Sequence, residues 1–109
     1  MRILDFVVTG QTLRRDPACD FSGIAAGSSG YLHARFRFSA DWAGHKKAAV
    51  FTGADGKERP VGLRDGLCEI PAEALTGRVV RVMVAGRRGF SNLPSNEIAF
   101  SQTVRNKEV

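Results

Sequence analysis

Apolar and polar residues alternate along most of this chain, and the alternation has the period of a β-strand rather than a helix. It is cleanest from Tyr31 to Phe38, where Leu32, Ala34, Phe36 and Phe38 share one phase and Tyr31, His33, Arg35 and Arg37 the other. A helix would scatter those apolar positions around its axis, whereas a strand gathers them on one face. Ile3 to Thr9 predicts a second strand, with Leu4, Phe6 and Val8 facing one way. Gly10 breaks it. Gln11 to Arg15 predicts a polar edge strand, and the paired Arg14 and Arg15 discourage that edge from pairing with itself. Asp16-Pro17 starts a turn. The small residues from Phe21 to Gly30 predict a flexible connecting loop, because they lack the spacing of a phosphate-cradling glycine motif.

After a corner at Asp41-Trp42-Ala43-Gly44 the pattern resumes as a strand from Lys47 to Thr52. Gly53-Ala54-Asp55-Gly56 predicts a hairpin-type turn, since Asp and Gly tolerate the left-handed backbone. Glu58 to Leu63 reads as an edge or irregular strand, because Pro60 lacks the N–H that a central strand needs. Arg64-Asp65-Gly66 turns again, and Leu67 to Ile70 is short and extended. Pro71 to Leu75 is the one helix-friendly segment, too short for more than about one turn. Val79 to Ala85 predicts a strand with Val80, Val82 and Val84 inward. Gly86-Arg87-Arg88-Gly89 and Asn92 to Asn96 read as loops, Glu97 to Val104 as the last strand, and Arg105 to Val109 as a frayed polar tail. Many short strands and almost no helix predict one all-β domain over 1–109, an antiparallel sandwich or small barrel.

Four blocks in the second half carry a resemblance. They are Trp42-x-Gly44-x-x-Lys47-x-Ala49-x-Phe51, Cys68-x-Ile70-Pro71-x-Glu73-x-Leu75, Val80-x-Val82-x-Val84-x-Gly86, and Ser95-Asn96-Glu97-Ile98. In that order they resemble a small immunoglobulin-like β-sandwich domain of tail, baseplate and fibre proteins from phages and prophages of Gram-positive bacteria. The match spans about two-thirds of the chain, from Tyr31 to Val104. The resemblance implies an immunoglobulin-like sandwich of about seven to eight short strands with at most one helical turn. It implies a structural or attachment module that works by packing against other protein subunits, as a homo-oligomer or within a virion, and that has no active site and no cofactor. The basic Arg87-Arg88 pair departs from the expected pattern, and such domains usually sit in longer chains.

The same residues have a physical role without the family. Trp42 and Phe51 are large apolar anchors where one sheet crosses to the other, and Gly44 permits the tight corner. Phe36 and Phe38 join them in the core, and Ile70 and Leu75 plug one end of it. Glu73 either caps its own turn or pairs with Lys47.

Lys and Arg number 16 against 11 Asp and Glu, a formal charge of +5 that favours anionic partners without choosing among them. Arg35 and Arg37 project beside Tyr31 from one strand face, and Arg87, Arg88 and Phe90 combine guanidinium groups with a stacking surface. These six are the candidate contacts for a nucleotide or an acidic protein surface. The alternative function they suggest is a small phage-encoded inhibitor or sponge that captures an anionic defence signal or a defence effector. No recognised motif for sequence-specific nucleic-acid binding is present.

Catalytic and metal chemistry find little support. Ser39, Asp41 and His45 assemble a triad only on paper, with no nucleophile motif around them. His33 and His45 are the only histidines, and no ligand spacing suits zinc. Cys19 and Cys68 form no CxxC; a disulfide would need the fold to bring them together, and two reduced thiols, with Cys68 buried and inert, are expected. No stretch approaches the roughly 20 apolar residues of a membrane span, and Asp5 interrupts the apolar N-terminus, so no classical signal peptide is expected. The expected location is the virion or the cytoplasm of the infected cell.

Overall fold

The computed structural model describes residues 1–104, so the tail expected to fray at 105–109 lies outside the described residues. The chain folds as two β-sheets packed face to face, a sandwich-like all-β architecture. Nine strands build it: β1 (Arg2–Thr9), β2 (Thr12–Arg15), β3 (Leu32–Phe38), β4 (Lys46–Thr52), β5 (Glu58–Gly62), β6 (Leu67–Glu69), β7 (Val79–Arg88), β8 (Ser91–Pro94) and β9 (Ile98–Ser101). The first sheet runs β2-β1-β3-β6 and the second β5-β4-β7, with β8 and β9 sharing the far edge of β7. β2 and β5 are edge strands, as Arg14-Arg15 and Pro60 predict.

The one parallel pairing inside a sheet explains the long segment after β2. β1 and β3 run side by side from Arg2↔Leu32 to Val8↔Phe38, and two parallel neighbours cannot be joined by a tight hairpin. The segment between Asp16 and Tyr31 carries the chain back to the start of β1. It is pinned rather than loose. Ile24 is buried, the N–H groups of Ala26 and Gly27 donate to Thr103 and Leu75, and Phe21 packs edge-on against Phe6. Arg2 also donates to the carbonyls of Asp20, Ser22 and Gly23.

Inward phases of both sheets meet in one core. Leu4, Phe6 and Val8 of β1 face Val80, Val82 and Val84 of β7, and the Phe6 and Phe36 rings stack at 4.9 Å. Phe51, Ile70, Leu75 and Phe100 complete it, while Phe38 is half-buried at its border. Two short 3-10 turns, where one was expected, carry the crossings between sheets. Ala40–Trp42 leads from β3 to β4, and Ala72–Ala74 leads from β6 to β7. Trp42 is fully buried, its indole N–H donates to the Gly10 carbonyl at 2.7 Å, and Gly44 turns the corner with φ +74°. Glu73 does neither of the things expected of it. Pro71 is the N-cap without a side-chain bond, and Lys47 instead donates to the His45 carbonyl and lies over the Phe38 ring.

Candidate functional site

The two outer faces of the sandwich differ in kind. On the first sheet, cross-strand register sets Asp5 of β1 beside Arg35 of β3, and the pair bonds at 2.6 Å. Arg37 reaches Asp16 at 2.7 Å. The Asp5 carboxylate raises the basicity of the Arg35 guanidinium, chiefly by accepting its hydrogen bond. Both pairs are open to water, so each contributes little to stability. Their functional meaning is larger: these two cations are already engaged by carboxylates. Tyr31 stands just before β3, half-exposed.

The second group of candidates is rearranged. Gly86-Arg87-Arg88-Gly89 is not a loop, because β7 continues through Arg88 and pairs with β8 over Ala85↔Pro94 to Arg88↔Ser91. The segment from Asn92, expected as a second loop, is correspondingly strand as far as Pro94. Gly86 stays in the strand because the Trp42 ring fills its side-chain space; a Cβ there would lie 2.9 Å from two indole carbons. Successive strand residues point to opposite faces, so Arg87 and Arg88 do not act as a pair. Arg87 instead lies directly opposite Lys46 of β4, and the Arg88 guanidinium folds toward Gly44. Phe90 sits fully exposed in the hairpin turn. Among the described residues, ion pairs hold Arg35, Arg37, Arg59 and Arg81, and none reaches Lys46, Arg87 or Arg88.

The side chains with catalytic potential are dispersed. Ser39 donates to Asp41 and accepts from the Gly10 N–H, while His45 bonds Ser91, so the paper triad is not assembled. No cluster of three metal-ligating side chains occurs among the described residues. Cys19 and Cys68 are both free. Cys19 accepts from the Asp5 N–H where β2 no longer covers β1, and Cys68 is buried in β6 opposite Ala34. Burial pushes the Cys68 thiol up to about 11, against a slight lowering by the Ala34 backbone. Only the thiolate is nucleophilic. Native protein at pH 8 is therefore expected to react with Ellman's reagent at Cys19 first, with Cys68 labelled rapidly only in denaturant. Equal native rates for the two would contradict the burial.

Strand phase also reveals a surface missed by the sequence reading. Midway along β4 and β7 the outward positions are apolar like the inward ones, with Lys46, Arg87 and Arg81 at the two ends. Ala48 and Val50 of β4 stand outward beside Ala85 and Met83 of β7, all partly exposed. Pro60 of β5 and Pro94 of β8 extend the same face to either side. The small side chains leave a hollow of about 380 Å³ between Lys46, Ala48, Ala85, Arg87 and Pro94. The available signal was that Val82–Gly86 and Ala48–Phe51 are apolar in both phases, which is how strands covered on both faces read. A larger hollow of about 750 Å³ lies at one end of the sandwich between Phe38, His45, Lys47 and Leu63.

No helix among the described residues is long and apolar enough to cross a membrane. No protein family, curated protein or solved structure matches the chain.

Proposed function

We propose that this chain is a non-enzymatic packing module of a phage virion, a tail, baseplate or fibre-associated component that acts by docking onto other protein subunits. The observation that carries this reading is the apolar outer face of the second sheet. A solvent-facing sheet surface normally alternates to polar residues, whereas β4 and β7 present Ala48, Val50, Met83 and Ala85. The phage setting rests on the ordered resemblance blocks around Trp42, Ile70, Val82 and Asn96. The test is quantitative mass spectrometry of purified virions beside lysate of the producing cells. Enrichment in virions at a fixed ratio to other tail proteins is expected. Abundance in lysate with absence from virions would overturn the proposal.

A second reading, capture of an anionic ligand by a free inhibitor or sponge, draws on Lys46 and Arg87. Like charges directly opposite on neighbouring strands are unfavourable, and a bound anion would relieve that repulsion. Charge-assisted hydrogen bonds are worth about 1.5–3 kcal/mol each, so Lys46→Ala with Arg87→Ala should weaken nucleotide binding at least about 100-fold. Calorimetry with mono- and cyclic nucleotides measures this directly. Absence of heat with the wild-type protein discards the nucleotide version.

A further inference from the structure

Cross-strand register sorts the outward residues of the second sheet into four rows. The end row holds Lys46 and Arg87, followed by a row of small residues, Ala48 and Ala85 between Gly62 and Pro94. Next come the larger Val50 and Met83, with Pro60 beside them. The far row holds Glu58 and Arg81 with Thr52 between them, and Glu97 bridges Arg81 at 3.8 Å. One end of the face is therefore purely cationic and the other carries a surplus of one negative charge.

We propose that a second copy of this chain occupies this face, docked sheet to sheet about a two-fold axis that lies in the interface and runs across the strands. The proposal rests on the packing reading above and names its partner. Both charge and shape select this axis. It turns the Lys46–Arg87 end of each copy over the other's far end, whereas an axis along the strands would set the two Lys46–Arg87 ends against each other. The far end's surplus is negative because Glu58 and Glu97 outnumber Arg81, the residue that comes to lie over Arg87. Passing between the two apolar rows, the transverse axis also lays Val50 and Met83 of one copy over Ala48 and Ala85 of the other. Large side chains then enter the hollow left by small ones, and the thioether of Met83 adapts to its shape. An isologous contact of this kind uses one patch twice and closes on itself.

The face is modest in size. Four strands about 4.8 Å apart and about 3.3 Å of rise per residue give roughly 450 Å² on each copy. That is the size of a functional surface patch, yet below the roughly 800 Å² per partner of a standard stable interface. Association is accordingly expected to depend on concentration.

Sedimentation velocity of the full chain from roughly 5 to 500 μM tests this, a span wide enough to detect micromolar association. A shift from monomer to dimer is expected. Met83→Glu should weaken it at least tenfold while leaving the thermal midpoint within a few degrees, because the side chain lies on the outer face. Reversing one end with Lys46→Glu and Arg87→Glu should abolish the dimer. Mixing that variant with one carrying Glu58→Lys and Glu97→Lys should restore it, and mixing it with wild type should not. A wild-type protein that stays monomeric throughout, or a dimer that survives Met83→Glu, would overturn the assignment of a second copy. Virion incorporation would still be decided separately by the mass spectrometry above. Recovery of the dimer on mixing the reversed variant with wild type would overturn the axis.

Discussion

Trp42→Ala is expected to lose about 3–5 kcal/mol of stability, the range for removing a large aromatic side chain from a packed core. The indole is fully buried, and its ring centroid lies 5.0 Å from that of Phe38. Gly86 of β7 lies against its other side, where even a Cβ would sit only 2.9 Å away. Phe38 and His45 also flank the ring, but the strand backbone at Gly86 cannot move in to refill the space. The substitution also strips the Gly10 carbonyl of its 2.7 Å indole donor, which joins the β1–β2 turn to the crossing between sheets. For a domain with a typical reserve of about 5–15 kcal/mol, this is a large fraction of the total. Urea unfolding followed by far-UV circular dichroism measures it. A loss below about 1 kcal/mol would mean that the crossing tolerates a cavity, and the account of the core would fail.

Legibility followed the range of the forces involved. Strict alternation from Tyr31 to Phe38 is a local signal, and β3 with its inward Leu32, Ala34 and Phe36 follows it. Pro71 to Leu75 is likewise local, and it forms the expected short turn. The framing glycines of Gly86-Arg87-Arg88-Gly89 gave the opposite result. Gly89 does serve the turn, but Gly86 is there to admit the Trp42 ring, a neighbour 44 positions earlier in the numbering (86 minus 42). Arg35 and Arg37 look unpaired from sequence because their carboxylates lie 30 and 21 residues away. The parallel pairing of β1 with β3 is equally non-local and leaves no mark on either strand. The apolar outer face did leave a mark. Met83 and Ala85 stand in the phase opposite Val82 and Val84, and reading only the inward phase hid them.

Gly66→Ala is expected to cost more than removing most core methyl groups, about 2–4 kcal/mol, because strain and overlap add. Gly66 holds φ +76° in the turn between β5 and β6, a conformation that costs an L-residue about 1–2 kcal/mol. A Cβ there would also lie 2.5 Å from the Phe36 carbonyl oxygen, well inside van der Waals contact. That oxygen belongs to central-strand backbone and cannot swing aside like a side chain. The same neighbours are joined by the Phe36 N–H, which donates to the Gly66 carbonyl at 2.8 Å, so separating them weakens a hydrogen bond as well. Gly56→Ala separates the two contributions. Gly56 has nearly the same φ, +74°, but nothing lies within 4 Å of its added Cβ. Its loss should therefore stay near the conformational cost alone. Denaturant midpoints of both variants, at unchanged m-value, provide the measurement. Equal losses at the two glycines would show that the β5–β6 turn can move off β3, and that the close approach to Phe36 does not hold this end of the first sheet.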